Sequence, residues 1–162
     1  AVQQIYNITK ELVKRSPEHS DRFNQNARSY AKSLRRMLAD ALQKINTTAS
    51  DNLRIATVHD GYAYLLSELG IEVSAVIQPR HGIEPSPRQL QDTINRIQRA
   101  NVNVLFGELD YRKKYVDIIF QETGCRIYQL SHVSNGPYTE EKFVLDMKTN
   151  LDTIVNAVAS GN

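Results

Sequence analysis

The stretch that decides the fold is EVSAVIQPRHGIEPSPRQLQDTINRIQRANVNVLF, residues 72–106. It begins with the short apolar run EVSAVI, passes through a polar loop into a helical pattern, and ends in a second apolar run, VNVLF. The helix start is well marked, because Ser86 suits the N-cap, Pro87 suits the first helical position and Gln89 completes a capping box. Two short strands joined by one helix predict a right-handed crossover between parallel strands.

The same alternation continues on both sides of this stretch. Upstream, the apolar run 53–58 precedes a short helical pattern at 61–70. Downstream, a helical pattern at 112–124 precedes the run 125–130, and a polar loop then leads into a last helix at about 142–159. Strands that alternate with helices in this way predict an α/β fold, with a four-stranded parallel sheet and helices on both of its faces.

The first 50 residues have a different pattern, which predicts a long amino-terminal helix. They are polar and helical in period, and SPEHSD at 16–21 interrupts them with residues that favour turns and helix starts. Beyond it, apolar residues recur at spacings of four and three, which predicts one helix of about 25 residues. NTTASDN at 46–52 predicts the closing loop. We therefore expect two parts, a long helix with its lead-in and closing loop at 1–50 and an α/β lobe at 51–162.

Composition excludes several classes of protein. Lysine and arginine number 20 against 18 aspartates and glutamates, and no basic cluster interleaved with aromatic residues predicts a nucleic-acid partner. Cys125 is the only cysteine, so no internal disulfide can form, and its place at the entry to an apolar strand predicts a buried, unreactive thiol. No run approaches the roughly 20 apolar residues that span a membrane. The chain begins without Met, and we expect a piece of a longer protein, so a missing signal peptide is uninformative.

Polar residues that follow the predicted strands are the candidates for function, since ligands bind beyond the carboxyl ends of parallel strands. His59 and Asp60 follow the first strand, Glu108 the third, and Ser131 and His132 the fourth. The sequence lacks a Gly-rich phosphate loop, a nucleophile elbow and a H-E-x-x-H pattern. The histidines and carboxylates that remain are ligand types that suit a borderline divalent metal such as zinc.

Several stretches, taken together and in order, resemble the zinc/manganese substrate-binding proteins of bacterial ABC importers. They are HDGYAYLLSELGIEV (59–73), IEPSPRQLQDTINRIQRANVNVLFGE (83–108), QETGCRIYQL (121–130) and FVLDMKTNLDTIVNA (143–157). NITKELVKRSPEHSDRFNQNARSYAKSLRRML (7–38) is similar to the helix that bridges the two lobes of family members, with its lead-in. The resemblance covers nearly all of this chain but only about the second half of a family member. It implies a carboxy-terminal lobe with the bridging helix and a missing amino-terminal lobe.

The resemblance also implies a metal site between the two lobes, with two ligands supplied by the missing lobe. The family's third ligand falls on His59. Its fourth is usually an aspartate, and Ser131 stands there instead, with a neutral hydroxyl that is a poor zinc ligand. His132, one residue on and past the strand end, is the candidate substitute. We therefore expect the metal-site residues to be His59, His132 and Ser131. Ser131 would contact the metal either directly or through a water.

Other residues near the predicted edge have more modest expected roles. Asp60 is expected to cap the following helix, with a hydrogen bond that orients a ligand as the alternative. His81 matches no ligand position and is expected in a surface loop, a peripheral metal contact being the alternative. Glu108 is expected to hydrogen-bond around the cleft. Tyr62 and Tyr64 are expected to pack at the cleft wall and in the core.

The implied function is that of an extracytoplasmic substrate-binding protein, not an enzyme. It would capture a divalent metal as transported ligand and hand it to an ABC permease. Zn²⁺ is favoured over Mn²⁺, because manganese-favouring members often place a carboxylate where His59 stands. The expected location is periplasmic, or extracellular and membrane-anchored, in a bacterium, with membrane association only through the permease or a lipid anchor outside this chain.

Two other functions remain open from the sequence. One is a member whose metal site has degraded and which serves as an adhesion or interaction module, a reading that Ser131 favours. The other is an unrelated parallel α/β enzyme with a carboxylate–histidine site, which predicts a phosphate or nucleophile motif at a strand end.

Overall fold

In a computed structural model, the chain folds into two compact units, Ala1–Asp40 and Ala41–Asn162. The division falls inside a long helix, and the domain boundary near residue 50 stays a prediction. The structure describes residues 1–48, 52–58, 60–77, 86–108, 113–134 and 136–160, without the side chains of Asp60, Glu108 and Lys113.

The first unit is a pair of helices, α1 (Val2–Arg15) and the first part of α2 (Ser20–Thr48), joined by a 3-10 turn. The predicted apolar face is present on α2, where Ala27 and Leu34 are buried. An apolar groove runs between the two helices, with residues of both lining it. The unit therefore has the helical form that the spacing of its apolar residues predicts.

The long helix α2 extends beyond its predicted end. The sequence predicts a loop at 46–52, but α2 continues to Thr48. The hydroxyls of Thr47 and Thr48 donate to the carbonyl oxygen of Lys44 at 2.8 and 2.9 Å. A threonine hydroxyl can bond back to a carbonyl three or four residues earlier while its own backbone stays helical, so these threonines are compatible with the helix. The loop prediction is therefore wrong over residues 46–48.

The second unit contains the predicted four-stranded parallel sheet. In chain order its elements are β1 (Ile55–Thr57), α3 (Ala63–Glu68), β2 (Val73–Val76), α4 (Pro87–Arg99), β3 (Val104–Glu108), α5 (Lys113–Thr123), β4 (Arg126–Leu130) and α6 (Lys142–Ser160). The strands lie in the order β2-β1-β3-β4, and every pairing is parallel. The order reverses between β1 and β3, so the crevice where such sheets bind ligands lies at the carboxyl ends of these strands.

Burial of consecutive residues shows that both faces of the sheet are covered. Residues 104–106 of β3 have no exposed surface, and a strand with only one covered face would alternate between buried and exposed. On one face, Ala56 and Leu105 pack with Ile94 and Ile97 of α4 and with Ile119 of α5. Helix α6 packs against β4.

The start of α4 has the predicted capping box. The Ser86 hydroxyl accepts a hydrogen bond from the Gln89 backbone N–H at 3.4 Å, and the Gln89 side-chain oxygen accepts one from the Ser86 N–H at 2.8 Å. Pro87 occupies the first helical position. This start was predictable because all of its partners lie within four residues of one another.

Gly124 ends α5 in a conformation that favours glycine. Its φ is +69° and its N–H donates to the Phe120 carbonyl at 2.8 Å. An added Cβ would meet nothing within 4 Å, so Gly124→Ala should cost only the left-handed backbone penalty, about 1 kcal/mol of unfolding free energy. Gly61→Ala is the matched control, because its Cβ also meets nothing and its φ is not positive. Urea unfolding of both variants measures the difference, and equal stability of the two would contradict the prediction.

Candidate metal site

Two of the predicted site histidines lie outside the part of the chain that the structure describes. They are His59 and His81, and the side chains of Asp60 and Glu108 are likewise outside it. The backbone of Asp60 opens a 3-10 turn before α3. The roles predicted for these four residues therefore stay predictions.

Tyr62 connects the turn after β1 to the turn after β4. Its side chain is buried, and its hydroxyl donates a hydrogen bond to the Leu130 carbonyl oxygen at 3.1 Å. The same hydroxyl lies 3.1 Å from Nε2 of His132. The two rings stack with their centroids 4.8 Å apart and their planes 15° from parallel. The segment that follows β1 and the turn that follows β4 therefore meet at Tyr62 and His132.

The sequence predicts that both tyrosines of this segment pack, and only one of them does. Tyr62 is 4% exposed, whereas Tyr64 is 84% exposed. Side chains two positions apart on a helix are rotated by about 200° around its axis, so they lie on nearly opposite sides and cannot share one buried face. Burial is confirmed for Tyr62, packing in the core is wrong for Tyr64, and a place at the cleft wall stays a prediction.

Ser131 is held by helix α6 through its backbone and its hydroxyl. Its N–H donates to Oδ1 of Asn150 and its carbonyl accepts from Nδ2 of the same side chain, both at 2.8 Å. Its hydroxyl donates to Oδ2 of Asp146 at 3.2 Å and accepts from the Val133 N–H at 3.0 Å. These bonds use the hydroxyl proton and one of its two lone pairs, so a metal ion bound directly by this oxygen would use the remaining lone pair.

Asp146 is kept ionised by its neighbours. Nζ of Lys142 lies 2.9 Å from Oδ2 of Asp146. The hydrogen bond from Lys142 lowers the pKa of Asp146, burial opposes the shift, and the Ser131 hydroxyl adds to the lowering. The carboxylate is therefore charged at neutral pH and accepts from both residues. The motif FVLDMK contains this aspartate, but nothing in the motif indicates that the carboxylate faces Ser131.

The residue after His132 has a strained backbone. Val133 has a φ of +66°, a conformation that β-branched residues rarely adopt and that costs about 1–2 kcal/mol. The hydrogen bond from its N–H to the Ser131 hydroxyl helps to hold this conformation. Backbone strain of this kind concentrates at functional sites, where the surrounding structure maintains it.

The single cysteine lies away from the carboxyl edge of the sheet, because it precedes β4. Cys125 is fully buried, and desolvation raises the pKa of its thiol to about 12. A thiolate is therefore not formed at neutral pH, and the predicted buried, unreactive thiol is confirmed.

Within the described ranges, no three His, Cys, Asp or Glu side chains are grouped closely enough to hold a metal ion. Over the same residues, the structure contains no helix with the length and apolar character required to cross a membrane.

Comparison with known proteins gives one family. Residues 1–157 match the family described as zinc-uptake complex component A, periplasmic. The high-affinity zinc uptake system protein ZnuA of Bacillus subtilis is 23% identical over 98% of this chain and 50% of its own length. The manganese ABC transporter substrate-binding lipoprotein PsaA of Streptococcus pneumoniae is 20% identical over 94% of this chain and 50% of its own. The chain thus spans about half the length of the curated relatives it matches.

A solved structure gives a higher identity. The substrate-binding protein FpvC of Pseudomonas aeruginosa, in complex with Mn²⁺, is 43% identical, with a TM-score of 0.85 over 99% of this chain and 58% of that one. The same protein has been solved with Ni²⁺. These likenesses agree with the α/β fold and the long amino-terminal helix. They do not favour the alternatives of a separate adhesion module or an unrelated enzyme.

Proposed function

Because this chain belongs to the periplasmic zinc-uptake component A family, whose members are metal-transport receptors and not enzymes, we propose that it is the carboxy-terminal part of such a receptor. The receptor captures a divalent metal ion outside the cytoplasm and hands it to an ABC permease. The metal is the transported substrate, and the protein binds and releases it without changing it chemically. An amino-terminal lobe supplies the remaining ligands.

The observation that carries this proposal is the contact between Tyr62 and His132. The stacking and the 3.1 Å contact place an imidazole at the carboxyl edge of the sheet, beside the segment that leaves β1. That edge is where parallel α/β sheets bind ligands. His132 is exposed, so a partner lobe can reach it.

The proposed ligands from this chain are His59 and His132. His59 opens the segment that contains Tyr62, and it corresponds to a family ligand. Ser131 is proposed to act through a water, because a neutral hydroxyl is a poor zinc ligand and this one is held by its bonds to Asp146 and Val133. Its main contribution is then to fix the turn that carries His132.

The proposed metal is zinc, with manganese as the alternative. Two imidazoles suit zinc better than manganese, which prefers carboxylate and carbonyl oxygens. Competition between the two ions for the full-length protein, followed by calorimetry, tests this order. Preferential retention of manganese would contradict the zinc assignment and leave the transport function standing.

The isolated chain is expected to bind zinc only weakly, because it supplies one or two of the about four ligands of a closed zinc site. Calorimetry should find no submicromolar affinity for the 162-residue chain and tight binding for the full-length protein. Sedimentation in the same buffer should show a monomer. Submicromolar binding by a monomeric chain would contradict the proposed division of the ligands between two lobes.

The proposed location is periplasmic, or extracellular and anchored to the membrane. It is supported by the family description, which names a periplasmic component, and by a relative that is named as a lipoprotein. Membrane association is proposed to come from the permease or from a lipid anchor outside this chain.

A further inference from the structure

The hydrogen bonds of Tyr62 determine which nitrogen of His132 carries a proton. A phenol has one proton to donate and two lone pairs with which to accept. Among the residues that the structure describes, the Tyr62 hydroxyl contacts the Leu130 carbonyl oxygen and Nε2 of His132, each at 3.1 Å. A carbonyl oxygen can only accept, so the phenol proton belongs to the bond with Leu130.

The bond with His132 must then run in the opposite direction. Since the phenol proton points to Leu130, the Tyr62 oxygen accepts a hydrogen bond from Nε2–H of His132. A neutral imidazole has one N–H and one nitrogen with a lone pair. With the proton on Nε2, the lone pair is on Nδ1.

We propose that Tyr62 is a positioning residue that holds His132 as the Nε2–H tautomer, so that His132 binds the metal through Nδ1. The metal half of this inference, which is metal binding through Nδ1, rests on the proposed function. The assignment of the tautomer does not. Metal-binding histidines commonly donate their second N–H to a fixed acceptor, which sets ring orientation and raises ligand basicity. The buried hydroxyl of Tyr62 is that acceptor here, and Leu130 fixes its direction.

The choice of nitrogen changes which part of the protein positions the metal. Nδ1 is the ring nitrogen nearer the backbone, so a metal on it lies close to the turn that follows β4. The stacking of the two rings, 15° from parallel, restrains the imidazole plane. The Ser131 bonds to Asn150 and Asp146 restrain the main chain beneath it. The stacked ring and the restrained turn therefore together fix the position of the Nδ1 lone pair.

The tautomer can be measured on the metal-free 162-residue chain. Long-range ¹H–¹⁵N correlation spectra of histidine-labelled protein, in mildly alkaline buffer where imidazole is neutral, distinguish the two tautomers. The His132 signal, identified by its loss in His132→Ala, should show the Nε2–H pattern. Tyr62→Phe should convert it to a mixture, and Tyr64→Phe, at an exposed position, should leave it unchanged.

Two results would overturn the inference, the first by contradicting the tautomer and the second by contradicting the positioning role of Tyr62. One is an Nδ1–H pattern in the unaltered chain, which needs no variant and is independent of any effect of Tyr62→Phe on folding. The other is an Nε2–H pattern that Tyr62→Phe leaves intact.

The metal half is tested on the full-length protein loaded with zinc. The ¹⁵N chemical shift of Nδ1 of His132 should change when zinc binds. Tyr62→Phe should weaken zinc binding about tenfold relative to Tyr64→Phe. A shift at Nε2 would overturn this inference and leave the proposed function intact. No shift at His132 at all, with tight zinc binding, would overturn His132 as a ligand. Loss of zinc binding by the full-length protein itself would count against the proposed function, while the tautomer result would stand.

Discussion

His59→Ala in the full-length protein is expected to weaken zinc binding at least about 100-fold. Loss of a hydrogen-bonded neighbour of a ligand already costs about 10–100-fold in metal affinity, and loss of a ligand should cost no less. His59 stands directly before the turn that carries Tyr62, in the segment that meets His132. Competition with a chelator, read by calorimetry, measures the change.

The control for this experiment is another histidine of the same chain. His19 lies in the 3-10 turn of the first unit with 61% of its side chain exposed, and His19→Ala should retain full affinity. His132→Ala should resemble His59→Ala. Unchanged zinc binding in His59→Ala would contradict the assignment and favour a member that no longer uses this site.

Asn150→Ala is expected to give the largest loss of stability among the substitutions considered, about 3 kcal/mol of unfolding free energy. The Asn150 side chain is 2% exposed, and it pairs with both the N–H and the carbonyl of Ser131. Alanine would leave two backbone groups without their partner, and each buried, unsatisfied polar group costs about 1–3 kcal/mol. Urea or thermal unfolding followed by circular dichroism measures the loss.

The neighbouring residue provides the comparison. Thr149 is exposed, and its hydroxyl bonds only to the Leu145 carbonyl of its own helix, at 3.0 Å. Thr149→Ala should change stability by no more than about 0.5 kcal/mol. If Asn150→Ala unfolded at the same urea concentration as Thr149→Ala, the bonds to Ser131 would contribute nothing to stability.

The parts of the fold that depend on local signals were predictable from the sequence. The capping box at Ser86 and the glycine end of α5 involve partners within a few residues, and the alternation of apolar runs with helices identifies the sheet. The end of α2 was predicted too early because threonine is common in loops, and the sequence does not show that Thr47 and Thr48 bond back to the Lys44 carbonyl.

The candidate site was only partly predictable, because its contacts join distant parts of the chain. Tyr62 and His132 are 70 residues apart, and Ser131 and Asn150 are 19 apart. Position after a strand end singled out His132 and Ser131 correctly as edge residues. Nothing in the residue types indicated that Ser131 turns its hydroxyl towards Asp146 or that Tyr62 contacts the imidazole. Those two contacts join the residues after β4 to the turn before α3 and to α6.

The bonds between α6 and β4 also have a consequence for solubility. In the strand order, β4 is at the edge of the sheet, and exposed strand edges are templates for pairing with other chains. The Asn150 amide engages the backbone of Ser131 at one end of this strand as a neighbouring strand would, and Arg126 at the other end donates to the Ser160 carbonyl. Helix α6 thus holds both ends of this edge strand through hydrogen bonds. Shortening α6 should therefore increase aggregation through this strand.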